Sequence, residues 1–240
     1  MGSEMCIRDS VKVERVKDDL IKSVYLSTGE EIKGKSLVIA TGANWKKLNI
    51  PGEQENIGNG VAYCPHCDGP FYKDKDVAVI GGGNSGLEAA LDLSGIVKTV
   101  IIIEYLSELK ADKLLIDQIS KRTNISAVKN VQITEILSTN GKVSGFKYQG
   151  RDTNETFRRN ISGIFVQIGL VPNSKLLDGI VDLNKYGEIV VDEYCNTSVE
   201  GVFACGDVTS VPYKQIISSM GEGAKAAITA SEYLLKSQIN

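Results

Sequence analysis

The sequence predicts an α/β fold organised around a nucleotide-binding βαβ unit. The apolar run at residues 77–80 is typical of a buried parallel strand, and it leads into a glycine-rich turn at residues 81–86. A helical pattern covers residues 84–93, and a second apolar run follows at residues 99–103. Strand, glycine turn, helix and strand in this order indicate a Rossmann-like dinucleotide site.

The residues of the glycine turn have separate expected roles. Gly81 allows the tight turn, Gly83 lets backbone approach a pyrophosphate, and Gly86 permits close packing of the helix against the strand. Asn84 and Ser85 stand at the start of the helix, where exposed amides and the helix dipole attract a pyrophosphate. The turn therefore predicts a site for NAD.

Glu104 ends the second apolar run, about 20 residues beyond the turn, where a carboxylate accepts a hydrogen bond from a ribose 2′-hydroxyl. The same carboxylate repels a 2′-phosphate, and residues 105–108 supply no arginine to neutralise it. The position favours NADH over NADPH. The alternative for Glu104, a solvated strand end, stays open at this point.

A Cys-x-x-Cys pair, Cys64 and Cys67, stands directly before the βαβ unit. In such pairs one thiol pKa is often lowered, and thiol–disulfide exchange proceeds by thiolate attack on sulfur. Asp68 is a candidate proton donor or acceptor. The alternatives are an inert turn or zinc, but a structural zinc site needs four ligands, and only His66 accompanies the pair. The pair therefore predicts a redox-active disulfide and no metal.

The composition indicates a globular protein of one or two domains. The chain has 240 residues, 42% hydrophobic and 24% charged, with a net charge of -3. This balance gives no case for nucleic acid or for an anionic membrane surface, and no apolar run approaches the roughly 20 residues of a membrane helix. Without a signal-peptide pattern, the five cysteines fit a cytoplasmic protein in which Cys6, Cys195 and Cys205 are incidental or buried thiols.

The remaining pattern alternates strands with short turns. Residues 1–10 fit neither strand nor helix and are expected to be non-native. Helices are predicted at residues 112–121, with Leu114, Leu115 and Ile119 buried, and at residues 213–236. Strands are predicted at residues 11–16, 21–26, 36–40, 131–137, 143–148, 163–169, 187–192 and 201–207, with a hairpin turn at Asn140-Gly141.

Four motifs together carry a resemblance that covers nearly everything after Ser10. They are Cys64-Pro-His-Cys67-Asp68-Gly69-Pro70, the turn at residues 81–86, Ala40-Thr41-Gly42 and Gly206-Asp207. In this order they resemble the low-molecular-weight thioredoxin reductases of the class II pyridine nucleotide-disulfide oxidoreductases. The runs at residues 164–169 and 211–216 are more similar still to the flavoprotein subunits of alkyl hydroperoxide reductases.

The resemblance implies two nucleotide-binding Rossmann-like domains. An NAD(P)H domain with the Cys-x-x-Cys pair, residues 51–166, would be inserted in an FAD domain formed by residues 11–50 and 167–240. The residues expected to bind FAD are Thr41, Gly42, Asp207, Lys214, Gln215 and Ile216. The alternative for Asp207 is a simple turn or helix-capping acid.

The resemblance also implies a mechanism. NADH would reduce FAD, the flavin would reduce the Cys64–Cys67 disulfide while Asp68 handles protons, and the dithiol would pass electrons to a thioredoxin-like or peroxiredoxin acceptor. The intact relatives are expected to be homodimers.

The chain also departs from the family. An FAD domain normally opens with its own glycine fingerprint, and none precedes Ala40. We therefore expect an N-terminally truncated FAD domain, and we likewise expect this chain to lack the N-terminal thioredoxin-like module of the alkyl hydroperoxide subunits. Two alternatives stay open, an NADPH-dependent thioredoxin reductase fragment and a nucleotide-binding remnant without turnover.

Overall fold

The computed structural model describes residues 11–237, so the prediction for residues 1–10 lies outside the described residues. The chain divides into two compact units, the first formed by residues 11–44 and 170–237 and the second by residues 45–169. These borders lie a few residues from the predicted domain borders. The assignment of the units to FAD and NAD(P)H stays a prediction.

Strands outnumber helices in the described part of the chain. The strands, in chain order, are β1 Val13–Lys17, β2 Lys22–Leu26, β3 Glu31–Gly34, β4 Leu37–Ile39, β5 Ala43–Trp45, β6 Val61–Ala62, β7 Asp76–Ile80, β8 Thr99–Ile103, β9 Ile125–Val128, β10 Val131–Thr139, β11 Lys142–Gly150, β12 Thr156–Asn160, β13 Gly163–Val166, β14 Leu170–Pro172 and β15 Val202–Ala204. The α-helices are α1 Pro65–Asp68, α2 Asn84–Ser94, α3 Lys113–Ser120 and α4 Ile216–Ser237.

The second unit is built on a five-stranded parallel sheet in the order β6-β13-β7-β8-β9. Successive side chains of a strand face opposite sides of the sheet, so both faces need cover. Val77 and Val79 pack with the helix side, which includes Leu87 and Ile119 of α2 and α3. The alternate residues pack against the antiparallel sheet β10-β11-β12. The predicted βαβ unit is therefore confirmed as part of a three-layer α/β unit.

The hairpin between β10 and β11 turns where the sequence predicts it. Asn140 and Gly141 have φ angles of 53° and 73°. Two consecutive residues with positive φ match the right-handed twist of the flanking strands, and Asn-Gly adopts this conformation at low cost. Both strands run longer than predicted because each side of the hairpin pairs beyond its apolar core.

The first unit contains the antiparallel sheet β1-β2-β3, the parallel pair β4-β15 and the helix α4. Val202 and Ala204 of β15 join one apolar cluster, whereas Phe203 packs with Ala226 and Ala230 of α4 in another. The short strands β5 and β14 form a two-stranded sheet. Within residues 11–237 no helix has both the length and the apolar character that crossing a bilayer requires.

Several predictions about local structure are wrong. Residues 187–192 do not form a strand, because Ile189 N donates to Val208 O at 2.9 Å while Val190 N donates to Asp182 O at 3.0 Å. Neighbouring amides therefore bond different segments, and no ladder forms. Leu114 is 69% exposed, since the short helix α3 turns mainly Ile119 into the core. The helix predicted from residue 213 begins at Ile216.

Candidate functional site

Cys64 and Cys67 form a disulfide in the second unit, with Cα atoms 5.3 Å apart. Cys64 caps α1, and Pro65 occupies the first helical position, where its missing amide costs nothing. The backbone N–H of Cys67 donates to Cys64 Sγ at 3.2 Å. The sulfurs are thus bonded to each other, unlike zinc ligands, and in a reduced chain this amide would stabilise a thiolate on Cys64.

An open cavity of about 470 Å³ borders the disulfide. Cys64 and Asp68 line it together with the aromatic side chains of Trp45, Tyr63, Phe71 and Tyr72. Phe71 is 75% exposed. A flat ring or an apolar protein surface could therefore contact the sulfur of Cys64 at this face.

Asp68 lines this cavity, and its carboxyl group has a raised pKa. Burial raises the pKa of Asp68 above its ordinary value, because desolvation disfavours the charged carboxylate. Burial, followed by the charge of Asp68, also raises the pKa of Tyr72. Asp68 therefore keeps its proton to higher pH than an exposed aspartate, which suits a group that exchanges protons with a thiol.

The glycine turn connects β7 to α2 by close backbone contacts. Gly81 has a φ angle of 116°, and a Cβ there would lie 2.3 Å from the carbonyl oxygen of Gln167. A Cβ on Gly86 would lie 1.9 Å from the carbonyl oxygen of Gly81. Above Gly83 a Cβ would meet only Lys110 O at 3.8 Å. The first and last glycines thus serve packing, while the middle one leaves room for a ligand.

The start of α2 presents its first amides at this turn. The N-cap Gly83 has no side chain to satisfy them. The side chain of Asn84 points to Asp112, donating to Oδ2 at 2.9 Å and accepting from the Asp112 amide at 2.8 Å. The backbone amides of Asn84 and Ser85 therefore meet the requirement for binding a pyrophosphate.

Glu104 is buried, with 8% of its surface exposed, so it is not a solvated strand end. Its Oε2 accepts a hydrogen bond from the amide of Gly82, and its Oε1 accepts one from the amide of Leu106 at 2.7 Å. A carboxylate has about four acceptor positions, so capacity for a further donor is left. Glu104 also lines a cavity of about 270 Å³ that reaches Gly81 and Tyr105.

Three of the six residues predicted to bind FAD, Thr41, Gly42 and Asp207, follow the two strands of the parallel pair in the first unit. Thr41 and Gly42 follow β4, and Gly206 and Asp207 follow β15, so all four lie at the same edge of the parallel pair. Ligands bind at such carboxyl edges. Gly42 and Gly206 have φ angles of 68° and 76°, and no atom lies within 4 Å of a Cβ on Gly42. These features fit a dinucleotide that approaches the backbone closely.

Helix α4 begins at this edge as well. Asp207 Oδ1 accepts from Ser219 Oγ at 2.9 Å, and Glu222 Oε2 accepts from the Gly206 amide at 2.8 Å. Asp207 is therefore held by a residue of the next helix, and its role toward FAD stays a prediction. Neither Ser219 nor Glu222 was predicted from the sequence, although their spacing from Ile216 places them in the first two turns of α4.

The other residues predicted to bind FAD are placed differently. Lys214 Nζ donates to the carbonyl of Thr209 and forms an ion pair with Glu188 at 3.1 Å. Gln215 is exposed, and its carbonyl accepts from Ser219 N at 2.9 Å. Ile216 is 82% exposed at the start of α4. Lys214 is thus fixed by the protein, whereas Gln215 and Ile216 are free to contact a ligand.

Comparison with known proteins places this geometry in a family. A family model described as "Pyridine nucleotide-disulphide oxidoreductase" matches residues 4–229. The chain is 48% identical over 218 residues to an alkyl hydroperoxide reductase subunit of Escherichia coli, covering 91% of this chain and 42% of that protein. It is 51% identical over 232 residues to a protein named NADH dehydrogenase from Ferdinandcohnia aciditolerans, covering 95% and 44%.

Solved structures agree with the sequence relatives. Thioredoxin reductase from Streptococcus pyogenes matches with a TM-score of 0.88 at 30% identity, covering 94% of this chain and 74% of that one. Thioredoxin reductase from T. acidophilum matches with a TM-score of 0.66 at 40% identity, covering 95% and 75%. The chain spans less than half the length of the curated relatives it matches. The chain belongs to the pyridine nucleotide-disulphide oxidoreductase family, is related to alkyl hydroperoxide reductase subunits, and has a thioredoxin reductase-like α/β fold.

Proposed function

We propose that this chain carries the nucleotide site and the redox-active disulfide of an NADH-dependent flavoprotein disulfide reductase. The observation that carries the proposal is the Cys64–Cys67 disulfide, formed at an open cavity that it shares with Asp68. Family membership implies a flavin and a nicotinamide nucleotide. The second unit, with its glycine turn, is the proposed NADH domain, and the first unit, whose residues flank it in the sequence, is the proposed FAD-binding region.

The proposed path of the two electrons runs through the sulfurs of Cys64 and Cys67. A bound flavin would accept hydride from the nicotinamide and supply two electrons to sulfur. The Cys64–Cys67 bond then breaks, and the two thiols take up two electrons and two protons. The dithiol next attacks a disulfide of the acceptor through the Cys64 thiolate, and Cys67 displaces the acceptor as its dithiol. Asp68 is the proposed proton donor to the departing thiolate.

The acceptor and the choice of nucleotide are part of the proposal. The relatives named alkyl hydroperoxide reductase and thioredoxin reductase support a thioredoxin-like or peroxiredoxin acceptor. The aromatic cavity beside Cys64 is the proposed contact for that acceptor. The buried carboxylate of Glu104 supports NADH over NADPH. A homodimer stays a prediction.

Flavin absorbance tests the whole path. The purified chain is incubated with excess FAD and desalted, and the visible spectrum is recorded before and after NADH is added without oxygen. We expect retained flavin that bleaches with NADH and recovers when a disulfide acceptor is added. Bound flavin that NADH does not bleach would contradict the proposal, and preferential bleaching by NADPH would favour a thioredoxin reductase activity.

Asp68→Asn is expected to change how the rate of reaction between the dithiol and an acceptor disulfide depends on pH. The raised pKa means that the carboxyl group is protonated, and able to act as an acid, below its folded-state pKa, and that this ability is lost as pH rises through it. The rate of reaction of the dithiol with an acceptor disulfide, divided by the fraction of Cys64 present as thiolate, should fall by about a hundredfold or more at low pH in the variant. In the unaltered chain this rate should decrease as the pH rises through the pKa of Asp68, and in Asp68→Asn this decrease should be absent.

The control for Asp68→Asn is Asp92→Asn. Asp92 is an exposed carboxylate of α2 whose Oδ2 lies 3.5 Å from His66 Nδ1. Asp92→Asn therefore removes a negative charge near the same motif at a residue that does not line the cavity. We expect the control to keep the profile of the unaltered chain. Identical profiles for Asp68→Asn and the unaltered chain would show that Asp68 handles no proton.

A further inference from the structure

Tyr63, the residue directly before Cys64, is held from two sides in the second unit. Its hydroxyl donates to Glu53 Oε1 at 3.0 Å, and its backbone carbonyl accepts from Gln167 Nε2 at 2.8 Å. The ring stacks against Trp45, with centroids 6.2 Å apart and planes inclined by 22°. The backbone directly before Cys64 is therefore held in place by the side chains of Glu53, Gln167 and Trp45.

Glu53 is a buried acid that accepts three hydrogen bonds. Only 2% of its surface is exposed. Besides the hydroxyl of Tyr63, it accepts from the amides of Leu48 at 2.9 Å and Asn49 at 2.7 Å. Burying a carboxyl group is costly unless it is hydrogen-bonded, so these donors keep the side chain in one position.

The hydroxyl of Tyr63 stays a hydrogen-bond donor in neutral and mildly alkaline solution. Burial, with the hydrogen bond and charge of Glu53, raises the pKa of Tyr63 to about 12. The hydroxyl therefore keeps its proton, and the contact between Tyr63 and Glu53 persists in neutral and mildly alkaline solution.

Gln167 connects the same residue to the nucleotide turn. Its backbone amide donates to Ile80 O at 2.7 Å, at the end of β7. Its carbonyl lies so close to Gly81 that a Cβ there would be 2.3 Å away. With its side chain bound to Tyr63, Gln167 bridges the glycine turn and the segment that carries Cys64. The electron path described above gives Gln167 and Glu53 no role.

We propose that Glu53 and Gln167 are positioning residues that hold Tyr63, and through it the sulfur of Cys64, in fixed register with the nucleotide turn. The proposal rests on the proposed function only in taking the Cys64–Cys67 pair as redox-active. In the reduced chain a fixed segment keeps the two thiols close, so the effective concentration of one thiol at the other is high. Loosening the segment lowers that concentration and makes the disulfide easier to reduce.

The equilibrium with glutathione measures this effect directly. Oxidised glutathione and the dithiol give the Cys64–Cys67 disulfide and two molecules of reduced glutathione, whose sulfurs receive the two electrons and the two thiol protons. Tyr63→Phe removes the hydroxyl alone, and Gln167→Met removes the donor while keeping an unbranched side chain. The oxidised fraction is read by alkylation and mass spectrometry across glutathione ratios. We expect each variant to lower the oxidation constant by about threefold to tenfold, tenfold being a potential about 30 mV higher.

The matched control is Asn124→Ala. Asn124 Nδ2 donates to Ser94 O at 2.9 Å, a bond of the same kind elsewhere in the second unit. We expect the control to leave the oxidation constant unchanged. Unchanged constants in Tyr63→Phe, or an equal shift in the control, would overturn the proposal. If Gln167→Met does not fold, Tyr63→Phe decides alone, because it changes a single atom.

This test is independent of the electron path. The glutathione equilibrium requires neither flavin nor nicotinamide. A chain that fails to transfer electrons from NADH can therefore still show the shift, and the two failures are distinguishable.

Discussion

Cys67→Ser should reduce transfer of electrons from NADH to a disulfide acceptor to background in the presence of FAD. A single cysteine cannot form the Cys64–Cys67 bond, so no group between flavin and acceptor can take up two electrons. The loss is expected in the second half of the reaction only. Bleaching of bound flavin by NADH should continue, because hydride transfer does not involve the sulfurs.

A thiol count verifies the variant without any cofactor. Free thiols are counted in the unfolded chain, once without and once after reduction. The reduced sample should contain two more thiols, because the described residues contain one disulfide. Cys67→Ser should abolish that difference. The control Cys195→Ala removes a buried free thiol of the first unit, and it should keep both the difference and the electron transfer. Undiminished transfer in Cys67→Ser would exclude the pair from the path.

Glu104→Ala should weaken NADH binding by about tenfold to a hundredfold, since a hydrogen bond to a charged partner contributes about 1.5–3 kcal/mol. The variant also leaves the amides of Gly82 and Leu106 without their acceptor, which loosens the turn for either nucleotide. Affinity for NADPH should fall less, or rise, because the repulsion of its 2′-phosphate disappears. The ratio of the two dissociation constants, measured by fluorescence titration, is therefore the informative quantity.

Two further variants separate charge from shape at this position. Glu104→Gln keeps the length of the side chain and one acceptor oxygen. It should reduce the ratio of NADPH to NADH dissociation constants, with a smaller loss of NADH affinity than Glu104→Ala causes. Glu108→Ala removes an exposed carboxylate from the same loop, where it lies 3.7 Å from Lys110, and should change neither constant. An unchanged ratio in Glu104→Ala would remove Glu104 from the choice of nucleotide.

The parallel sheet of the second unit shows how far pattern alone reaches. A strand buried on both faces needs an uninterrupted apolar run, and β7 and β8 have such runs, so both were predicted. The two-residue strand β6 and the exposed strand β12 were not predicted, since neither contrasts in composition with its surroundings. Their pairing comes from the strands beside them, β13 and β11.

Burial was harder to predict than the elements themselves. The helix predicted at residues 112–121 exists as α3, yet Leu114 is exposed and Leu115 is only partly buried. A helix of eight residues turns only a narrow stripe toward the sheet. Which apolar residues lie in that stripe depends on how the helix is rotated against α2, which the local sequence does not specify.

The sequence by itself determined the local chemistry of this protein: the Cys64–Cys67 pair, the glycine turn and the acid at the end of β8. Each depends on residue type and on a short spacing along one chain segment. The tertiary structure alone decided what holds these groups. Gln167 reaches Tyr63 from 104 residues away, because β13 lies between β6 and β7 in the sheet. Such contacts follow from strand order, and strand order is set by packing of the whole unit rather than by any local pattern.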